Sequence, residues 1–248
     1  MRKKLIAGNW KMNTTLAEAH ALAEGVRDQA ARLEGIEIVL CPPVPWLAEL
    51  AHIIAPGKIP NLGLGGQNMH YEEHGAFTGE VSPLMIREVA SYVILGHSER
   101  THLFHEDTAF ITQKLHSALE HDITPILCVG EDVQSDTSVE QVAVTVRDYV
   151  KDLSRDDLVR IIVAYEPVWA IGSGRPATPE YAQQVAEAIR GVTGEATRIL
   201  YGGSVTEENA AAFLEQADID GFLIGGTSLK LQPFISICEQ ANSSKGDL

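Results

Sequence analysis

The sequence has few cysteines, no long apolar run and no cluster of cationic residues. Its three cysteines, Cys41, Cys128 and Cys238, are far apart and odd in number, which argues against a disulfide framework and against a zinc site. No segment approaches the ~20 apolar residues that a membrane-spanning helix needs. The apolar segment behind the basic first four residues is too short for the core of a signal peptide. These absences predict a cytoplasmic protein without a membrane partner.

Acidic residues outnumber basic ones, and the formal net charge is −15. Nucleic-acid-binding proteins neutralise phosphates with lysines and arginines that cluster on one face, so this composition argues against a nucleic-acid partner. The same charge would repel an anionic small molecule. A site for such a ligand therefore requires local donors, namely backbone N–H groups and a well-placed lysine.

Short apolar runs alternate with segments of helical periodicity, which is the pattern of repeated βα units. The predicted strands are 5–9, 36–41, 62–67, 92–95, 125–129, 161–165, 199–201 and 221–224. The predicted helices are 16–33, 44–55, 83–90, 108–121, 139–153, 179–191, 207–216 and 233–240. Ser82, Thr178 and Thr206 are candidate N-caps. The alternation predicts an α/β fold, a single (β/α)8 barrel domain over residues 1–248, with a doubly wound open sheet as the alternative.

Functional residues of a barrel lie at the carboxyl ends of its strands. Ionisable residues follow the first, fourth, fifth and sixth predicted strands, and they are Lys11, His97, Glu99, Arg100, Glu131 and Glu166. Lys11 is a candidate anion ligand, although a lysine at such a position is ordinarily a surface residue. His97 is a candidate acid or electrophile, or else a structural histidine. We interpret Arg100 and Glu99 as an ion pair that supports the rim, and Glu131 as a residue that orients Trp169 or Arg100.

Gly-Gly pairs follow the seventh and eighth predicted strands, at 202–203 and 225–226. Both pairs lead into helical segments, where exposed N–H groups and the positive end of a helix dipole favour an anion. The loops after these two strands are the usual phosphate site of a barrel. The pairs therefore favour phosphate binding over a role in tight turns alone. No arrangement of histidines and cysteines indicates a metal.

Glu166 ends an apolar strand and faces a loop with the features of a lid. Pro167 prevents further strand pairing, and Trp169 and Ile171 are large apolar residues in a glycine-containing segment. Their exposure would be unfavourable unless they cover something part of the time. The alternative is an ordinary loop with a solvated glutamate.

Six segments, taken together, resemble the triosephosphate isomerase family, in its order and over nearly the whole chain. They are Asn-Trp-Lys-Met-Asn at 9–13, Gly-Ala-Phe-Thr-Gly-Glu at 75–80, Gly-His-Ser-Glu-Arg at 96–100, Tyr-Glu-Pro-Val-Trp-Ala-Ile-Gly at 165–172, Tyr-Gly-Gly-Ser-Val at 201–205 and Gly-Gly at 225–226. The resemblance implies a cofactor-independent enzyme that interconverts dihydroxyacetone phosphate and D-glyceraldehyde 3-phosphate through an enediolate.

The same resemblance assigns roles to individual residues. It implies that Glu166 is the base, that Lys11 and Asn9 stabilise the enediolate oxygen and hold the substrate, and that His97 is a neutral electrophile. The implied phosphate-binding residues are Gly172, Ser204, Gly225 and Gly226, and Glu99 is implied to pack under the base and the lysine. The resemblance also implies a homodimer through the loop from Gln67 to Glu80, with Thr78 reaching the neighbouring site.

Two other functions remain open at this point. A glycosidase on the same barrel would use Glu131 and Glu166 as its carboxylate pair, but it would explain neither Lys11 nor the Gly-Gly turns. A sugar-phosphate binder without catalysis is the second alternative.

Overall fold

The computed structural model describes residues 2–54, 59–170 and 176–244. Eight parallel strands close into a barrel in chain order, with β8 paired to β1. The strands are β1 (Lys4–Asn9), β2 (Ile36–Cys41), β3 (Leu62–Gly66), β4 (Tyr92–Leu95), β5 (Thr124–Val129), β6 (Ile162–Tyr165), β7 (Arg198–Tyr201) and β8 (Gly221–Ile224). Closure confirms the predicted barrel, because an open sheet would leave two strands with only one neighbour each.

Ten α-helices occur within the described ranges. They are α1 (Leu16–Ala30), α2 (Val44–Ile54), α3 (Pro83–Arg87), α4 (Ser98–Leu103), α5 (Thr108–Glu120), α6 (Ser138–Val150), α7 (Arg155–Arg160), α8 (Pro179–Thr193), α9 (Ala210–Leu214) and α10 (Leu231–Ser243). Two 3₁₀ turns, Val168–Ala170 and Gly226–Leu229, follow β6 and β8. The sequence predictions missed α4 and α7, which are short. A capping box formed by Ser154 and Asp157 starts α7 and was a readable signal for it.

The helix starts test the predicted caps. Ser82 accepts from the Met85 N–H at the start of α3, and Thr178 accepts from the Tyr181 N–H at the start of α8, so both predictions are confirmed. The prediction for Thr206 was wrong, because α9 begins at Ala210. There the Thr206 N–H donates to Asn209 Oδ1 at 2.9 Å, and residues 207–209 form a turn instead of a first helical turn.

Apolar side chains form two layers, one inside the barrel and one between the strands and the helices. The inner layer consists of Leu5, Ala7, Val39, Cys41, Tyr92, Ile94, Ile126, Cys128, Ile162, Ala164, Leu200 and Leu223. Strand β3 contributes Gly65 to this region, where an added Cβ would lie 2.7 Å from Cys41 Sγ and 3.2 Å from Tyr92 Cβ. The Tyr92 hydroxyl donates to Glu37, which also pairs with Arg198. A polar cluster therefore closes the amino end of the barrel, and the carboxyl end stays open.

The three cysteines are buried free thiols, as the sequence predicted. Burial raises the pKa of Cys41 to about 12 and also raises the pKa of Cys128 and of Cys238. Within the described ranges, no helix is both long and apolar enough to cross a bilayer.

Arg190 on α8 is the centre of a buried ion network below the barrel. Its guanidinium pairs with Asp218, donates to Asp220 Oδ2 at 3.0 Å and donates to the Thr197 carbonyl at 2.9 Å. Only 6% of Arg190 is exposed. Arg2, which is less buried, also pairs with Asp220 Oδ1 at 2.7 Å, so Arg190 is the buried cation that the two carboxylates share.

We predict that Arg190→Met lowers the free energy of unfolding by about 3–5 kcal/mol, because two carboxylates lose their buried partner. Urea denaturation measures this loss. Arg155→Met is the matched control on the exposed surface of α7, with an expected change within about 0.5 kcal/mol. Equal losses in the two variants would contradict the role of the network.

Candidate active site

The predicted site residues converge at the carboxyl end of the barrel. Asn9 ends β1, His97 precedes α4, and Glu166 directly follows β6. With Lys11 they line a cavity of about 480 Å³, whose opposite wall is formed by the loops after β7 and β8. The barrel thus brings together residues that are far apart in the chain, as the reading of strand ends predicted.

Glu166 is a buried carboxylate, with only 2% of the residue exposed. Its Oε2 accepts from the Ser98 N–H at 3.2 Å, and its Oε1 lies 3.1 Å from His97 Nε2. Glycine is required beside it, because a Cβ at Gly202 would lie 2.9 Å from Glu166 Cγ. A Cβ at Gly130 would overlap the Glu166 carbonyl oxygen at 1.7 Å. The neighbouring strands therefore hold both the main chain and the side chain of this carboxylate in place.

The tautomer of His97 follows from its position as the N-cap of α4. Its Nδ1 accepts a hydrogen bond from the Glu99 N–H at 3.2 Å, so Nδ1 carries no proton. The proton of the neutral ring is then on Nε2, the nitrogen that lies next to Glu166. His97 is 6% exposed, and the helix start orients a single N–H into the cavity.

Lys11 is held in a left-handed backbone conformation, with φ of 51°. Its N–H donates to Asn9 Oδ1 at 3.0 Å, and its carbonyl accepts from Gln67 Nε2 at 2.9 Å. The ammonium group contacts Glu99 Oε1 at 2.5 Å. These contacts direct the cation towards the cavity. Of the two neighbours that the resemblance implied for Glu99, the described contacts include the lysine.

The surroundings of the two Gly-Gly pairs differ, so glycine serves a different purpose in each. A Cβ at Gly203 would lie 2.2 Å from the Tyr201 hydroxyl, so the first pair makes room for Tyr201 and, through Gly202, for Glu166. The second pair borders open space. A Cβ at Gly226 would meet nothing within 4 Å, and one at Gly225 would lie 3.4 Å from Lys11 Cε. Only the second pair therefore places glycine backbone next to both the cavity and the lysine.

The two flanks of the predicted lid are held by separate contacts. On the first flank, Glu131 Oε1 accepts from Trp169 Nε1 at 3.0 Å and from the hydroxyls of Tyr165 and Tyr181. On the second flank, the Ala177 N–H donates to the Tyr201 hydroxyl at 3.1 Å. The segment between them, with Ile171 and the predicted phosphate residue Gly172, lies outside the described residues.

Arg100 does not form the ion pair with Glu99 that the sequence predicted. Its Nε donates to Glu106 Oε1 at 2.6 Å, whereas the predicted partner Glu99 pairs with Lys11. Glu131 orients Trp169, as one of the two predicted options stated, and it does not contact Arg100 among the described contacts.

The sequence analysis did not identify two residues that contribute to the site, Ser98 and Tyr201. No residue-level signal could have revealed them, because Ser98 acts through its backbone N–H and Tyr201 reads as a core residue.

Among the described residues, no group of three or more histidines, cysteines or carboxylates could hold a metal ion. The cavity is instead lined by a lysine, a histidine, a serine and two glycine-containing loops, residue types that suit an oxyanion.

Comparison with known proteins agrees with this geometry. A family model described as triosephosphate isomerase matches residues 4–241. The triosephosphate isomerase of Dehalococcoides mccartyi is 44% identical over 249 residues, which cover 97% of this chain and 98% of the relative. That of Caldanaerobacter subterraneus subsp. tengcongensis is 43% identical over 253 residues, which cover 96% of this chain and 99% of the relative.

We predict that Tyr201→Phe lowers the free energy of unfolding by about 1–3 kcal/mol, because the buried Ala177 N–H loses its acceptor. Urea denaturation again provides the measurement. Tyr71→Phe is the control, since Tyr71 makes ring contacts but its hydroxyl has no hydrogen bond to any other described residue. If the Tyr201 variant were as stable as the control, the second flank of the lid would not depend on this bond.

Proposed function

The chain belongs to the triosephosphate isomerase family and interconverts dihydroxyacetone phosphate and D-glyceraldehyde 3-phosphate, and we propose that Glu166 is the base that moves the proton. The observation that carries this proposal is the 3.1 Å contact between Glu166 Oε1 and the Nε2 of a neutral His97, at the edge of a cavity that also holds Lys11. We further infer that residues 1–248 form a single domain and that the protein acts in the cytoplasm.

Proton abstraction beside a carbonyl needs a base and charge stabilisation at the same time, because such a carbon is a weak acid. Glu166 supplies the carboxylate, and general base catalysis contributes ~10²–10⁴-fold. His97 Nε2–H and the Lys11 ammonium are positioned to stabilise the oxygen on which negative charge develops, at ~3–4 kcal/mol for a good donor. The same Nε2–H lets His97 move a proton between the two substrate oxygens. Asn9 holds the substrate beside the lysine.

The phosphate group is proposed to bind at the opposite wall of the cavity. Ser204 and Gly226 lie there, and Gly225 packs against the stem of Lys11. Backbone N–H groups and one lysine are the local donors that a protein of net charge −15 needs in order to hold an anion. Gly172 is proposed as a further donor from the lid. The lid excludes water, because the enediolate would otherwise expel its phosphate.

A homodimer is proposed from a second cavity, of about 310 Å³, that adjoins the first. Both cavities are lined by Asn9, Lys11 and His97. Exposed apolar side chains surround the second one, with Met12 96%, Val44 50% and Phe104 63% exposed. The loop from Gln67 to Glu80 also exposes Phe77. We infer that this loop of one subunit, with Thr78 near its tip, fills the second cavity of the other subunit and completes the site.

The glycosidase alternative finds no support. Glu131 accepts three hydrogen bonds from aromatic side chains and does not line the described cavity that holds Glu166. A binder without catalysis would not need His97 and Glu166 in direct contact. Competitive inhibition by inorganic phosphate separates the isomerase from a neutral-sugar enzyme, since a site for a neutral sugar should ignore the anion.

We predict that Glu166→Gln lowers kcat at least ~10²-fold, because the amide keeps the shape but cannot accept the proton. The affinity for a phosphate-bearing analogue should change little. A coupled assay with glyceraldehyde 3-phosphate measures kcat, and Glu180→Gln in the exposed first turn of α8 is the control. Activity within a few-fold of the wild type would remove Glu166 from its proposed role.

We predict that Phe104→Ser shifts the protein towards monomers and lowers its activity, because it removes an apolar group from the proposed subunit contact. Sedimentation velocity at assay concentration gives the oligomeric state. The control is Val159→Ser, which changes another exposed apolar residue, on α7. A fully active wild-type monomer at the same concentration would overturn the proposed dimer.

A further inference from the structure

The two loops of the phosphate wall contain carbonyl oxygens as well as N–H groups. A carbonyl directed at an anion would be repulsive, so these oxygens need other partners. The Ser204 carbonyl accepts from Asn209 Nδ2 at 3.0 Å. The Gly225 carbonyl accepts from both the N–H and the hydroxyl of Ser228, at 2.9 Å and 2.7 Å. Donors within or beside the same loops, namely the Asn209 amide and the N–H and hydroxyl of Ser228, therefore occupy these two carbonyl oxygens.

The Val205 carbonyl differs from these, because its partner belongs to the other loop. It accepts from the Thr227 hydroxyl at 2.8 Å, across 22 residues of chain. Within the described part of the chain, this is the only hydrogen bond between residues 202–206 and residues 225–230. Thr227 is half-buried and lines the same cavity as Ser204 and Gly226.

The short pairing between β7 and β8, below these loops, makes the hydrogen bond between Thr227 and Val205 more important for the spacing of the loops. Strands β7 and β8 are in register at one pair only, Tyr201 with Phe222, whereas β1 and β2 share six pairs. The distance between the two loops is thus weakly determined by the sheet itself. A side-chain hydrogen bond above the last strand pair can determine it instead.

We propose that Thr227 is a positioning residue for the phosphate group, through a hydroxyl that ties the two loops together and keeps the Val205 carbonyl away from the anion. This inference rests on the proposed phosphate site. Thr227 itself need not touch the substrate. Its loss should weaken phosphate binding, because the donors on the two loops would no longer be held at one spacing.

The test compares three variants with the wild type. Thr227→Val keeps the shape and removes the hydroxyl, and Thr227→Ser keeps the hydroxyl and removes the methyl group. Thr112→Val on α5 removes a similar hydroxyl-to-carbonyl bond, of 2.8 Å, far from the site. The measurements are the competitive inhibition constant of inorganic phosphate, KM and kcat for glyceraldehyde 3-phosphate, and urea stability.

We expect Thr227→Val to raise both the phosphate inhibition constant and KM about fivefold, the effect of one lost hydrogen bond, with a smaller change in kcat. Thr227→Ser should restore both constants to within about twofold of the wild type, and Thr112→Val should leave them unchanged. The proposed role of the Thr227 hydroxyl would be overturned by an unchanged inhibition constant in Thr227→Val. It would also be overturned if phosphate binding were weakened equally in Thr227→Ser. A wild-type isomerase that phosphate does not inhibit would instead refute the proposed phosphate site.

Discussion

The burial of the Glu166 carboxylate is the constraint around which the open end of the barrel is built. A buried carboxylate needs hydrogen-bond donors, and the end of β4 supplies the Ser98 N–H and the ring of His97. Close packing also needs space, which Gly130 and Gly202 provide directly after β5 and β7. The position of α4 follows from the same requirement, since its N-cap His97 and its first residue Ser98 present the two donors.

The same requirement for local donors explains how an acidic protein can hold an anionic substrate. The overall field opposes phosphate, so the binding that we propose depends on Lys11 and on backbone N–H groups beside carbonyls that already have partners. The second Gly-Gly pair borders open space beside the Lys11 stem, whereas the first accommodates Glu166 and Tyr201. Similar dipeptides at equivalent strand ends thus meet different physical demands.

Lys11 also connects the proposed substrate site with the proposed subunit contact. It lines both the substrate cavity and the adjoining cavity that we assign to the partner loop. Its left-handed backbone and its contacts with Asn9, Gln67 and Glu99 place a single cation on the wall between them. In the dimer that we propose, a change at the subunit contact would therefore reach the site over this one side chain.

The amino-acid sequence by itself determined the barrel, the strand ends and the residue types at those ends, because apolar periodicity and the rule that barrel sites lie at carboxyl ends are local patterns. It also identified Glu166, His97, Lys11 and Asn9 as neighbours. It did not determine which acid pairs with which base: Arg100 binds Glu106, and Glu99 binds Lys11. Lys11 and Glu99 follow different strands, and Glu106 meets Arg100 only because the chain turns back after α4, so partner choice depends on the folded geometry of the loops. The Thr227 bond to Val205 and the steric role of Gly202 beside Glu166 were decided by tertiary structure for the same reason, since each is a contact between separate strand ends.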